Sequence, residues 1–349
     1  MTMRDVAQRA GVSAGTVSRV LNGHENVAGP LRDRVLAAVR ETGYATDRAG
    51  RVRSQRSGER VHEIGFLLSL PYLAHQDGGL MSPFWAHILQ GAQAEAHRSG
   101  ASVTYEALPG DARVLPQREE GPRRFGSALL TGSAPPDLVR SMLASGLPLV
   151  LVDNYLPSLE VDSILANYAY GSELAVTVLL EYGHRDIAFV GGPLQQEGGI
   201  RHAVSTVELR AVGYRNALAQ FGVPFRPQIT ETCDLTPDGG YQAMRRLLQA
   251  DQHFSAVFCA NDPTASGVLR ALAEAGLEVP RDVSVVGCDD ELGAVMAPPL
   301  TTVRLDKQAM GAEAVRRLQY RRDNPTAAPV TIMTPVELVN RASVATPPA

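Results

Sequence analysis

The sequence predicts an α/β core of two doubly wound parallel-sheet lobes, preceded by a small all-helical domain. Three observations lead to that class. From Val61 onward, apolar strand-like runs alternate with amphipathic helical runs, the pattern of parallel sheets covered by helices on both faces. The alternation continues to the end of the 349-residue chain, further than one sheet of ordinary size extends, so two lobes with a cleft between them are expected. The first 60 residues show no strand pattern and differ in charge. They hold eleven Arg against six Asp and Glu, or +5, while the remainder of a chain of net charge −4 carries −9.

A basic arm on an acidic body suits a polyanionic partner, because arginines that neutralise phosphates release the counterions condensed on them. Charge alone describes a solvated surface equally well; its placement on the helices below gives it meaning. With 44% hydrophobic and 20% charged residues, the chain can bury sizeable cores. No apolar run approaches the ~18 residues of a membrane span. The opening "MTMRDVAQRA" lacks the apolar centre of a signal peptide, so a cytoplasmic protein is expected. Cys233, Cys259 and Cys288 are too far apart for a C-x-x-C motif and are expected to be reduced thiols, with no metal site and no cofactor. There is no G-x-S-x-G elbow, P-loop, H-E-x-x-H or post-strand G-x-G-x-x-G, which makes an enzyme using the cleft the weaker reading.

Within residues 1–45, helices are predicted at about Met3–Ala10, Ala14–Leu21 and Leu31–Thr42. Val6, Ala7, Ala10, Val17, Val20, Leu21, Val35, Leu36 and Val39 recur at helical spacing and form one small core. In "AGVSAGTVSRVLNG", Gly11 marks a turn, Ser13 caps the second helix by accepting from an exposed backbone N–H, and Asn22-Gly23 ends it. Pro30 and Gly43 punctuate the third helix. Two short helices joined this closely suggest a helix-turn-helix. Residues 46–60 carry Arg48, Arg51, Arg53, Arg56 and Arg60 without an apolar stripe, and form a hinge or linker that buries no core of its own.

Residues 61–349 form the core. Strands are expected at "EIGFLLSL", "ASVTYEAL", "FGSALLTG", "LPLVLVDN", "DIAFVGG", "SAVFCAND" and "VSVVGCDD". Helices are expected at "PFWAHILQGAQAEAHRSG", "GSELAVTVLLEYG", "LRAVGYRNALAQFG" and "TASGVLRALAEAG". Ligands of such folds sit beyond the carboxyl ends of the strands, which here carry Asp153, Asn154, Asn261, Asp262, Asp289 and Asp290.

Six segments occur in an order that resembles one family: "RDVAQRAGVSAGTVSRVLNG", "VLAAVRETGY", "GHRDIAFVGGP", "AVFCANDPTASGVLRAL", "VPRDVSVVGCDD" and "PPLTTVR". Together they identify the chain as similar to the lactose/galactose-repressor (LacI/GalR) family of bacterial transcription factors. The resemblance implies a DNA-binding headpiece, a hinge and a core like the type I periplasmic sugar-binding proteins. It also implies a homodimer that binds a pseudo-palindromic double-stranded operator and responds to a small molecule in the cleft. The positions that match base-contacting ones are Ala14, Gly15 and Arg19. Arg19 has the reach for a bidentate contact to guanine, Ala14 for a thymine methyl, and Gly15 offers only close backbone approach. Ser13, Thr16, Ser18 and Asn22 suit phosphate contacts that fix register. So sparse a reading helix leaves more of the specificity to DNA shape. The hinge departs from the family: Thr46 and Asp47 replace the usual Pro-Asn pair, and Arg53 replaces a leucine wedge. Either Val52 or Arg53 enters the minor groove, or the hinge is an electrostatic tether.

For the effector, the matching positions are Phe84, Trp85, Asp153, Arg210, Leu235, Asn261 and Asp289. An arginine and carboxylates bracket neighbouring hydroxyls, and an aromatic face stacks on the apolar side of a sugar, so a carbohydrate is expected and a nucleobase is the second reading. Trp85 is also legible as a core residue and Asp289 as a strand-end cap. Leu235 stands where an aromatic is common. The rims "LPYLAHQDGGLMS" and "LQQEGGIRHAVSTVE" look long for the family and could admit a larger ligand. The N-lobe is placed at about 61–160 with 304–324, and the C-lobe at about 161–301 with 328–345. Crossovers are expected near Ser158–Asp162, Pro299–Asp306 and Asn324–Val330. With no heptad repeat near the end of the sequence, a dimer is expected rather than a tetramer.

Overall fold

Ser13 shows how local sequence sets the first domain. Its Oγ accepts from the Thr16 N–H at 3.1 Å, satisfying an orphan donor at a helix start, and such a cap is worth about 0.5–2 kcal/mol. In the computed structural model this helix is α2, Ala14–Leu21, between α1, Met3–Ala10, and α3, Gly29–Thr42. The model describes residues 3–21, 28–42, 62–69, 81–109, 111–115, 125–132, 134–192, 205–250 and 252–348. The chain divides into two units, Met1–Val61 and His62–Ala349. In the first, Val6, Ala7, Ala10, Val17, Val20, Val35 and Ala38 are buried together, with Val12, Leu36 and Val39 packed against them. Gly11 turns α1 into α2 at φ +62°, a backbone conformation costly for side chains with a Cβ. Asn22 and the hinge residues Val52 and Arg53 lie outside the described residues, as do the side chains of Ser18, Arg19 and Leu21.

The second unit holds two six-stranded sheets. The first runs β11-β5-β4-β3-β1-β2, with β1 His62–Ser69, β2 Ala101–Leu108, β3 Ser127–Gly132, β4 Leu149–Val152, β5 Asp162–Ala166 and β11 Thr331–Thr334. Every pairing in it is parallel. Side chains alternate faces along a strand. Ile64, Phe66 and Leu68 therefore join one core with helices α4, Pro83–Arg98, and α10, Lys307–Asp323. Leu67 faces the opposite way, into a core with helix α5, Pro136–Ala144.

The second sheet runs β12-β10-β9-β8-β6-β7, with β6 Ile187–Gly191, β7 Thr230–Thr232, β8 Ala256–Cys259, β9 Ser284–Asp289, β10 Thr301–Leu305 and β12 Val336–Val339. Only its β10–β12 edge is antiparallel among the described strands. Helices α6, Tyr168–Glu181, and α7, Ser205–Gln220, cover the face of Phe189, Phe258 and Val286. Helices α8, Pro237–Gln249, and α9, Asp262–Glu274, cover the face of Val190, Val257 and Val285.

The lobe boundaries expected from sequence need correction at two of the three crossovers. Strand 162–166 belongs to the first sheet, not the second, so the chain changes lobe at Asn167 rather than at Ser158–Asp162. Strand 331–334 also pairs in the first sheet, and Pro335 separates it from β12 in the second. The last crossover therefore lies there and not at Asn324–Val330. The middle crossover is at Asp306, inside its expected span. The physical reason for the first shift is a buried ion cluster. Asp162 looks like a loop residue locally, but Arg317 Nη2 at 2.9 Å and Arg321 Nε at 2.8 Å neutralise it within the first lobe. The Val330 N–H also donates to it, at 2.8 Å, and pins β11 alongside.

Candidate functional site

Of the DNA-binding candidates, Ala14, Gly15, Thr16, Ser18 and Arg19 lie on α2 and Ser13 directly precedes it. Ser13 is its cap, and Thr16 Oγ1 lies 2.9 Å from Ser13 Oγ, so the two hydroxyls form one polar edge at the helix start. Ala14 and Gly15 occupy the exposed first turn. A Cβ added at Gly15 would meet nothing nearer than Ser13 Oγ at 3.7 Å, so packing within the headpiece does not require glycine there.

In the core, backbone strain marks the strand ends. Among the described residues, the non-glycine positions with positive φ are Asp153 (55°), Leu235 (64°), Asp289 (103°) and Asp290 (45°). All but Leu235 directly follow or end a central strand. Such conformations cost about 1–3 kcal/mol each and concentrate at ligand sites.

Around them the side chains form one connected polar group. Arg210 comes from α7 and is 5% exposed; its Nη2 donates to Asp289 Oδ1 at 3.0 Å, and Asp289 is also 5% exposed. The guanidinium lies 4.0 Å over the ring of Tyr168, the first residue of α6. The Tyr168 hydroxyl donates to Asp153 at the end of β4. Tyr168 thereby ties the first lobe's Asp153 to the second lobe's Arg210. Burial pushes the Asp153 carboxyl up to about 7; Arg210 and the Tyr168 hydroxyl oppose the shift and Asp289 adds to it. Tyr168 lies ahead of the helix expected at "GSELAVTVLLEYG", and the observed helix begins three residues earlier, at Tyr168 itself.

Phe84 and Trp85 open α4 with their rings edge to face at 4.8 Å. They are 7% and 8% exposed and belong to the main core, so their packing role is real. Lys307 connects them to the polar group: its Nζ donates to the Asp289 carbonyl and lies 5.8 Å from the Phe84 ring centroid. Asn261 caps α9 by accepting from the Thr264 N–H at 2.9 Å and donates to the Leu235 carbonyl at 3.1 Å, so these two candidates hold each other. Asp262, another strand-end carboxylate, is structural. It accepts from Thr302 Oγ1 at 2.6 Å and from the Glu291 and Leu292 N–H groups at 2.9 and 3.3 Å, and burial raises its carboxyl to about 6. Asp290 is held by Arg341 at 2.6 Å and Arg304 at 2.8 Å.

Several buried polar atoms here have no partner: Ser69 Oγ at the end of β1, Asn154 Nδ2 just past β4, and Arg210 Nε. Orphaned buried polar groups are uncommon, and each calls for a reason. A cavity of about 480 Å³ opens beside the group, at the middle and last crossovers, lined among others by His87, Arg304, Lys307, Gln308 and Pro335. It shares Lys307 with the polar group but reaches neither Arg210 nor Asp153. Of the two long rims, only Met81 and Ser82 of "LPYLAHQDGGLMS" and Ser205–Glu208 of "LQQEGGIRHAVSTVE", the first turn of α7, are among the described residues.

Comparison with known proteins matches residues 2–47 to the bacterial regulatory proteins of the lacI family and residues 176–344 to a periplasmic binding protein-like domain. The chain is 30% identical over 346 residues to the ribose operon repressor of Haemophilus influenzae, covering 98% of each. Its fold is similar to that of the lac repressor dimer bound to operator and the anti-inducer ONPF, with a TM-score of 0.69 and 28% identity over 99% of both chains. It is also similar to the regulator CelR in complex with cellobiose, with a TM-score of 0.68 and 28% identity over 98% of this chain and 99% of that one. These matches span both units of the chain, and the chain belongs to the LacI family of bacterial regulatory proteins.

Proposed function

We propose that the protein is a cytoplasmic repressor that binds a pseudo-palindromic operator as a homodimer and is controlled by a sugar held between the lobes of its core. The observation that carries this reading is the buried Arg210–Asp289 pair resting on Tyr168, with Asp153 opposite. Guanidinium and carboxylates arranged this way suit adjacent hydroxyls, each of which both donates and accepts. Unpartnered donors on Arg210 and Asn154, and the Ser69 hydroxyl, are groups that a hydroxyl-rich ligand would satisfy. Phe84 and Trp85 supply an apolar wall. Leu235 supplies no stacking face, which favours a ligand held mainly by hydrogen bonds over a flat nucleobase sandwiched between rings. Arg19 reads the operator, with Ala14 and Gly15 against the base edges beside it, while Ser13, Thr16, Ser18 and Asn22 contact phosphates and fix the register of α2, and Val52 or Arg53 serves the hinge. No described helix is long and apolar enough to cross a membrane.

The test is a thermal-shift screen of the full chain against ribose, cellobiose, other mono- and disaccharides, and purine and pyrimidine bases. A ligand that binds only the folded state raises the melting temperature by mass action. Stabilisation by a sugar that is lost in Arg210→Ala supports the reading. Stabilisation by a base alone replaces the effector class, and turnover of any stabilising compound would make the cleft an active site instead.

A further inference from the structure

Helix α4 begins without a cap of its own. Ser82 at its N-cap makes no side-chain hydrogen bond, Pro83 has no N–H to donate, and the first turn contains no acidic residue. The next free donor, the Phe84 N–H, is satisfied from the other lobe: it donates to Glu291 Oε1 at 2.8 Å. Glu291 follows β9 and is firmly mounted. Its own N–H and that of Leu292 donate to buried Asp262, which Thr302 anchors at 2.6 Å. A second bond crosses close by in the same sense, from Lys307 at the start of α10 to the Asp289 carbonyl. Lys307 also lies near the Phe84 ring, so the two crossings share one small region.

We infer that Glu291 is an interlobe clasp: by capping α4 across the cleft it biases the core towards the closed arrangement of its lobes. The two sides of the clasp adjoin the candidate ligand contacts, Phe84 and Trp85 on one lobe and Asp289 on the other. A ligand bridging those contacts would favour the same arrangement, so the clasp sets how much closure precedes ligand binding. This inference does not depend on the identity of the ligand or on any DNA sequence. Charge-assisted hydrogen bonds at helix N-termini are strong enough that losing this one should lower the closed-to-open ratio about tenfold.

The test compares Glu291→Ala and Glu291→Gln with the wild type, without ligand. Trp85 is the sole tryptophan and sits one residue from the clasp. In E291A, acrylamide quenching of Trp85 should increase, and the Phe84 amide should exchange with deuterium about tenfold faster. E291Q retains an acceptor without the charge and should fall between E291A and the wild type. The Glu291 and Leu292 amides, which bond within the second lobe, should keep wild-type protection. Unchanged Trp85 quenching in E291A would overturn the clasp. So would equal acceleration at the Glu291 and Leu292 amides, because the variant would then have melted its own loop rather than parted the lobes.

Discussion

Replacing Arg210 by methionine should be among the most damaging single changes to the core, and its cost can be worked from the pair it breaks. Arg210 and Asp289 are each 5% exposed and bonded at 3.0 Å, so removing the cation leaves a carboxylate with little access to water. Breaking a buried pair in this way costs about 3–5 kcal/mol. Asp289→Asn should cost less, about 2–3 kcal/mol, because Arg210 keeps Asp153 nearby and the Tyr168 ring beneath it. Asparagine tolerates the positive φ at position 289. The double variant removes both charges and should recover at least ~2 kcal/mol relative to the sum of the singles. Urea denaturation of the core followed by circular dichroism measures all four proteins. Simple additivity, or Arg210→Met within ~0.5 kcal/mol of wild type, would refute the claim that the two charges depend on each other.

Three further outcomes are expected. Helices α4 and α10 cross so closely that a Cβ at Gly91 would lie 2.0 Å from the Gln308 carbonyl oxygen, and one at Gly311 1.9 Å from that of Ile88. Gly91→Ala and Gly311→Ala should each destabilise the core by roughly 2 kcal/mol or more, whereas Gly15→Ala should stabilise the headpiece by up to ~1 kcal/mol in thermal unfolding. With its folded-state carboxyl near 7 and its unfolded one near 3.8, Asp153 holds a proton in the folded protein that the unfolded chain has released. Stability should therefore fall as pH rises from about 4 to 7 and level off above, and the gap between Asp153→Asn and wild type should widen over that window; a gap independent of pH would contradict it. Arg19→Ala should lose about 1–3 kcal/mol of discrimination at one base pair of each half-site in a binding-site selection, while Ser18→Ala should weaken binding evenly across sequences.

Much of the architecture could be read from sequence where local signals decide it. Helices α1 and α2 carry their own punctuation in Gly11 and Ser13, and β1, β3, β4, β6, β8 and β9 are short apolar runs, whereas β7 is only Thr230–Thr232 and carries no apolar residue. The first crossover could not be read because Asp162 is neutralised by Arg317 and Arg321, more than 150 positions away in sequence. The last was legible in principle, since Pro335 interrupts "VTIMTPVELV", but the run looks like one strand. In the candidate site, Asp153, Arg210 and Asp289, named through the family resemblance, lie together in the fold. Tyr168 and Glu291 had no such signal: a tyrosine at a helix start and a glutamate in a loop acquire their roles only when the second lobe meets the first. Of the two sequence readings of Trp85, the packing one is met, since its side chain is buried in the main core.

The most direct test of the central claim is a titration of operator DNA, obtained by selection with the full chain, in the presence and absence of a saturating cleft ligand from the thermal-shift screen. The ligand should change operator affinity by a factor of about 5–150, and operator should change ligand affinity by the same factor, because coupling between two sites is reciprocal. In Arg210→Ala, operator binding without ligand should remain while the response to ligand disappears. An operator affinity that is identical with and without bound ligand would contradict the claim that the cleft controls the DNA-binding domain.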